Sequence, residues 1–387
     1  MPGLGYRTEL QRIERDIAEL SIADLFAVPT NPERLTRYVY LMYQRASIVG
    51  DLAQLSAIER AIEHAVPLLR HPGDLYLLKA NVAFKLHRLA DVEAALLAIP
   101  TAGNCIEASL LRADLDFQHG RYPEAEAGYI GAMEAERSWS GLARLAYFRG
   151  KMGDLEGADQ LYREAEDELT AKEMRSYAWL EVQRGFLAFS QGAYPNARFY
   201  YDRAEAAYPG HWLVDEYKAE LLGAEGRYAE AIELFQRLVA ANDRPDLLQA
   251  IAELCEISAQ PDAARYWQGR ALAGYLQSAQ RGEMHYFHHL ADYYADVAQD
   301  GAAAVAWARA DLQLRENFAT QAALAWALYR NAEFDEARRW IDRALASGIV
   351  DAHLLFRAAK IYAGAGRHFL ERAKQLNPFV ERFHLHH

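Results

Sequence analysis

"GRYPEAEAGYIGA", residues 120–132, recurs down the chain with its spacing kept and most of its letters changed. Further copies are "GDLEGADQLYREA" (153–165), "GAYPNARFYYDRA" (192–204), "GRYAEAIELFQRL" (226–238) and "AEFDEARRWIDRA" (332–344). Each begins on a small residue. The third place is apolar (Tyr122, Leu155, Tyr194, Tyr228, Phe334) and the sixth is Ala (Ala125, Ala158, Ala197, Ala231, Ala337). The tenth is large and apolar (Tyr129, Tyr162, Tyr201, Phe235, Ile341). An Ala and a larger apolar residue four apart lie on one helical face. The Ala permits close approach of a neighbouring helix, and the larger side chain fills the space beyond it. The Gly slot ahead of them is a helix terminator and tight-turn residue.

Weaker copies fill the gaps: "GDLAQLSAIERAI" from 50, "HRLADVEAALLAI" from 87, "SAQPDAARYWQGR" from 258 and "AQDGAAAVAWARA" from 298. The steps between successive starts are 37, 33, 33, 39, 34, 32, 40 and 34 residues. A period near 34 kept over eight steps marks a repeat architecture. No unit buries its apolar face alone, so the units must stack into a quasi-one-dimensional solenoid. Pro32, Pro67, Pro100, Pro209, Pro245 and Pro378 punctuate the unit boundaries, where helices stop.

These units resemble the tetratricopeptide repeat, about 34 residues with a W-x₂-L-G-x₂-Y…A-x₃-F…P pattern. The resemblance covers roughly residues 33–380. The second half of each unit matches well. The first half matches less well, with Asp116 where Tyr is usual and Lys218 where Leu is usual. The resemblance implies an all-α, right-handed superhelix of about nine to ten helix-turn-helix pairs. It also implies a concave groove that binds a peptide or partner protein. The expected organisation is an N-terminal capping helix in 1–32, the solenoid in 33–380 and a His-rich tail in 381–387. Leu10, Ile13, Ile17 and Leu20 have the helical spacing of the cap. The longer steps place extra length in "EDELTAKEMRS" (166–176) and "ALAGYLQSAQRGE" (271–283), as a longer helix or loop. The last unit is short. The tail, with Phe379, Phe383, His384, His386 and His387, is a frayed end, a metal-binding segment or a self-docking one.

Composition narrows the function. The 387 residues carry 42 Lys plus Arg against 54 Asp plus Glu, a net charge of −12. Such a surface repels phosphate backbones and argues against nucleic acid as the main partner. Cys105 and Cys255 are the only cysteines, with no zinc or CxxC spacing. The sequence does not say whether they are close in space. Thiol scarcity fits a reduced cytoplasm. No apolar run reaches the roughly 18–20 residues that span a bilayer, and the start lacks a basic-then-apolar signal pattern. No Walker loop, G-x-G-x-x-G, G-x-S-x-G or HExxH motif occurs. Asp114 and Asp116 point in different directions from one helix and make poor acid–base partners. The run "REAEDEL" (163–169) reads as a solvated helix face. These absences point to a non-enzyme that needs no cofactor.

Candidate binding residues come from the first helices of the units. "GEMHYFHHLADYYADV" (282–297) reads as one such helix, with Phe287, Leu290, Ala291 and Tyr294 on its packing face. His285, His288, Asp292 and Asp296 fall on the opposite, groove-facing side, and a histidine-rich contact there would respond to pH between about 5 and 8. His285, His288 and Asp292 could alternatively ligate a divalent metal, making the protein a metal-handling or assembly accessory. One helix offers at most three such ligands. Glu216 and Glu220 share a stripe on another first helix, Trp326, Tyr329 and Arg330 on a third, and Asn81 and Lys85 on a fourth. A Trp directed away from the packing face suits a groove anchor.

Overall fold

The computed structural model of the chain describes residues 5–20, 31–51, 54–69, 73–99, 105–170 and 173–383. Among the described residues there is no strand, and after the first helix, Tyr6–Ala18, the chain runs as ten helix pairs. The pairs begin with Pro32–Val49 and Leu55–Ala65 and end with Ala352–Tyr362 and Arg367–Leu376. The expected all-α repeat architecture is therefore present. Among the described residues no helix is long and apolar enough to cross a membrane.

The turn inside each pair is set by one left-handed residue. These are Gly50, His87, Gly120, Gly153, Gly192, Gly226, Ala259, Gln299 and Ala332, with Ala363 in the last pair. Two of them, Ala259 and Gln299, fall one residue after the starts read from the sequence. The Ala slots explain why the pairs close so tightly: Ala125, Ala158, Ala197, Ala231 and Ala337 are all completely buried. Their partners Tyr129, Tyr162, Tyr201, Phe235 and Ile341 are buried beside them. Side-chain caps start several helices, among them Asn31, Ser138, Asp154, Asp300 and Asp351. Asn317 forms a full capping box with Thr320. The extra length expected at 271–283 is helical, giving a 20-residue helix at Pro261–Gln280.

Successive turns of the superhelix touch. The Trp212 indole N–H donates to the Ile48 carbonyl at 2.6 Å, and the Asn242 amide donates to Gly50 O at 3.0 Å. Asn317 donates to Gln118 at 2.9 Å, and the Phe318 amide donates to the Tyr122 hydroxyl at 2.9 Å. The Val350 amide donates to Lys151 O at 2.8 Å. A side chain at Gly50, Gly120, Gly153 or Gly192 would run into Trp212, Glu316, Val350 or Asn377, respectively. The inner turns of one superhelical revolution thus pack on the outer turns of the next. The first helix contacts two separate pairs. Ile13 packs with Leu41 and Ile48 of the first pair. Tyr6 meets the Tyr208 and His211 rings, and Glu9 accepts from the Tyr208 hydroxyl at 2.6 Å.

Candidate functional site

The first helices of six pairs surround a cavity of about 240 Å³ inside the last revolution. Its wall includes Lys151, Phe186, Glu220, His288, Asp292, Phe318, His353 and Arg357, with Asp311 and Arg315 from a second helix and the loop after it. Three ion pairs cross or edge it: Lys151 with Asp351 at 3.4 Å, Arg315 with Asp311 at 3.2 Å, and Arg357 with Asp292 at 2.9 Å. Aromatic rings fill the space between them. The cavity is thus amphipathic, with charges of both signs already paired.

Glu220, Phe186 and Arg357 of the cavity wall share one register with Glu253 and Trp326, which lie outside the wall. Glu220, Glu253, Trp326 and Arg357 each lie six residues before the left-handed turn residue of their pair, as does Phe186. Asp292 lies seven before Gln299. The extra residue is taken up by a π-helical turn at Tyr293–Val297, which widens the helix by one residue.

The His-rich stretch folds differently from the expected single helix. The α-helix spans only Phe287–Asp292, so His285 lies in the turn before it. Gly282, in the left-handed region, and the preceding helix end hold that turn. His285 is 5% exposed, its ring lies tilted against Tyr286 at 4.1 Å, and its Nδ1 has no hydrogen-bond partner among the described residues. Burial drives its pKa down to about 4, with Glu283 and Asp246 opposing. It is a neutral core histidine, not a groove ligand titrating near neutrality. His288 does reach the cavity. It lies 3.4 Å from Arg315 and 6.2 Å, ring to ring, from His87 of the neighbouring revolution. Asp292 and His288 do not converge with a third ligand: among the described residues no group of three His, Cys, Asp or Glu side chains could hold a metal ion. His384, His386 and His387 lie outside the described residues.

The other expected residues divide in two. Asp296, Trp326, Tyr329 and Arg330 come together: the Trp326 N–H donates to Asp296 at 2.9 Å, Tyr329 stacks on Trp326 at 5.4 Å, and Arg330 pairs with Asp296 at 3.4 Å. Glu220 lines the cavity, 1% exposed. Glu216 does not; it is held by Arg244 at 2.8 and 3.2 Å in a separate network with Asp246. Of the lesser candidates, Asn81 bonds back to Leu77 O and Lys85 is exposed. The "REAEDEL" run is not merely solvated: Glu166 bridges Arg184 and Arg203 at 3.3 and 3.1 Å, while Glu164 and Glu168 hold Arg137. Asp114 and Asp116 do turn to different partners, Arg144 and Arg121.

Residues the stripe reading missed include Arg357, Lys151, Arg315 and Glu253. Burial pushes Glu253 up to about 7, the Gln249 bond holding it back and nearby Asp292 and Asp296 adding to the rise. Counting six back from each turn residue would have found Arg357, Glu253 and Phe186.

No protein-family model matches the chain, and no curated protein matches it. Solved structures similar to it include pilF of Pseudomonas aeruginosa, at 20% identity over 56% of this chain and 95% of that one, TM-score 0.37. A second is the Cut9–Hcn1 heterotetramer of APC/C, at 15% identity over 96% of this chain and 80% of that one, TM-score 0.45. A third is a tetratricopeptide repeat protein of Parabacteroides merdae, at 15% identity over 78% of this chain and 98% of that one, TM-score 0.37. The fold itself rests on the ten helix pairs and their left-handed turns: the chain is an all-α helical-repeat protein whose unit resembles the tetratricopeptide repeat.

Proposed function

We propose that the protein is a non-catalytic interaction scaffold that takes a peptide or a segment of a partner protein on the inner face of its superhelix. The observation that carries this reading is the convergence of Glu220, His288 and Asp292 with Phe186 and Phe318 around one cavity, flanked by the Trp326–Tyr329 stack. Aromatic rings supply contact area and anchoring energy, and a few fixed polar groups supply orientation. The Arg357–Asp292 and Lys151–Asp351 pairs present both signs, so a bound segment would exchange with them rather than face bare charge. The net charge of −12 favours a protein over a nucleic acid. Free thiols at Cys105 and Cys255 suit a cytoplasmic setting. No observation favours metal handling.

Affinity capture from cell extract tests the reading. The intact protein is compared with full-length Trp326→Ala and His288→Ala and with an outer-face control, Arg237→Ala, whose side chain is 64% exposed. The expected result is loss of the same partner from both inner-face variants and its retention by the control. Retention by both inner-face variants removes the reading.

A further inference from the structure

The chain's own C-terminal segment occupies part of the inner wall. After the last helix, Arg367–Leu376, residues 377–383 turn back on themselves: the Phe379 amide donates to Asn377 Oδ1 at 2.8 Å and the Arg382 amide to Phe379 O at 2.8 Å. That turn puts two aromatic rings, four residues apart, on one side. Val380 packs on Ala352, Leu355 and Ala373 of the last pair. Phe379, Arg382 and Phe383 instead cross to helices more than 150 residues earlier, and all three line the cavity.

Their seat has a defined shape. Phe379 stacks on Tyr194 at 5.1 Å and 26°, and Tyr194 stacks in turn on Phe189 at 5.6 Å. Phe383 lies over Gly223, where any Cβ would fall inside its ring and 3.1 Å from Leu254. Gly223 is in the last turn of the Trp212–Ala224 helix with ordinary helical backbone. Glycine there costs helix stability relative to alanine and has no conformational need to be glycine. The room it leaves is filled by the Phe383 ring. The Arg382 guanidinium covers the Phe379 ring at 4.1 Å and donates to Ala224 O at 3.4 Å. Ala224 ends that helix, where the exposed carbonyls and the helix dipole favour a cation.

We propose that this seat is an exchangeable peptide site, filled in cis by residues 377–383 and taken in trans by a partner segment with two aromatic residues four apart and an arginine before the second. This rests on the reading of the inner face as a peptide-binding surface and names its ligand chemistry. The aromatic spacing matches the Tyr194 and Gly223 subsites, and the arginine matches the helix C-terminus. Exchange is favoured by the form of the cis contact: it has no helical or strand pairing to the seat, Pro378, Glu381 and Arg382 are exposed, and the Arg382 bond to Ala224 O is long at 3.4 Å. A tethered segment competes at high effective concentration, so the seat is closed to weak ligands and open to strong ones.

The test uses the full-length chain and a fluorescein-labelled peptide of the sequence of residues 377–383, followed by fluorescence anisotropy. Full-length Phe379→Ala/Phe383→Ala, whose cis segment no longer fills the seat, is expected to bind the peptide at least about tenfold more tightly than the parent. Adding Gly223→Leu to that variant abolishes binding, and replacing the peptide's arginine with glutamate weakens it. On the parent itself, saturating peptide speeds hydrogen exchange at residues 377–383. Equal affinity for parent and variant, no binding to a variant whose circular dichroism is native, or unchanged exchange in the parent overturns the proposal. The capture experiment changes Trp326 and His288 and leaves Tyr194, Gly223 and residues 377–383 as they are. Failure here with success there removes the exchange site alone, and failure there removes the inner-face reading.

Discussion

Arg244→Met removes one guanidinium that serves two buried carboxylates and a ring. Arg244 is the residue at the start of the Pro245–Ile257 helix. It grips Glu216 with two bonds, pairs with Asp246 and lies 5.1 Å from the Trp212 ring. The three side chains are 17%, 3% and 15% exposed. Deleting one partner of a buried pair costs about 3–5 kcal/mol, because the other charge is left without compensation. The guanidinium is not fully enclosed, which takes the lower half of that range. Loss of the cation–ring contact adds about 0.5–1 kcal/mol. The expected total is about 4 kcal/mol at pH 7.5. The sign of the pH dependence follows from Asp246. Burial works against its charge, but the Arg244 guanidinium more than offsets it and holds the carboxyl below the usual range. In the parent that contribution is present above the free carboxyl pKa and is lost as pH falls through the lower folded value. In the variant Asp246 is left without its cation, so acidification relieves it. The gap between parent and variant should therefore narrow from pH 7.5 to pH 5. Urea unfolding at both pH values measures it. Adding Glu216→Gln should recover part of the loss at pH 7.5. A loss under about 1 kcal/mol, or a gap that stays constant with pH, would refute the assignment of Arg244 as the shared counter-ion.

Three further outcomes follow from particular residues. Gly226→Ala places a Cβ in the left-handed region with only the Tyr228 hydroxyl nearby, at 4.0 Å, and should cost about 1–2 kcal/mol. Gly120→Ala pays the same strain and also meets the Glu316 carbonyl of the next revolution at 2.7 Å. Thermal unfolding should rank it clearly below Gly226→Ala, and equal losses would mean the revolutions are not in contact there. His285 has a folded pKa of about 4 against an ordinary 6.5, so the unfolded chain takes the proton first as pH falls. Its penalty at pH 5 is about 2 kcal/mol. His285→Gln should lose that much less stability than the parent between pH 7 and pH 5, and parallel curves would show the ring to be solvated. Glu253, raised to about 7, disfavours folding where its charge is forced, above its free pKa. Glu253→Gln should stabilise by about 3 kcal/mol at pH 8 and by under about 1 kcal/mol at pH 5, and no gain at pH 8 would contradict its desolvation near Asp292.

The repeat unit was legible because its signals are local. Ala at the sixth place and a large residue at the tenth decide which helix faces meet, and Ala158, Tyr162, Ala197 and Tyr201 are buried as that rule requires. The winding was not legible. The pitch of a solenoid accumulates from small rotations between neighbouring units, and no single residue announces it. Gly50, Gly120, Gly153 and Gly192 read as turn formers, which they are, yet each also marks a contact with the next revolution. The same limit applies to the inner face. A helical wheel assigned Asp292, Trp326 and Glu220 to it, and of these Asp292 and Glu220 line the cavity. It misplaced His285, because the helix begins two residues later, and it could not register the extra residue that the π turn adds before Gln299. It gave no sign that Glu216 would be claimed by Arg244, an ion pair between neighbouring units 28 residues apart. The docking of Phe379 and Phe383 was one of three readings of the tail, and only the distant Tyr194 and Gly223 select it.

Contact between revolutions is the claim on which the winding around the inner cavity depends, and one cross-link tests it. A Cβ at residue 153 would lie 3.1 Å from Val350 Cβ, and the adjacent Val350 amide already bonds to Lys151 O. A disulfide needs about 3.5–4.5 Å between Cβ atoms, a separation reached with a small local shift. Gly153→Cys/Val350→Cys is made in a chain with Cys105 and Cys255 replaced by Ser, oxidised at low protein concentration and mapped by mass spectrometry. The expected result is a disulfide within one chain, joining residues 153 and 350 in most molecules. Two free thiols in the folded chain, or links only between chains, would contradict the closed winding.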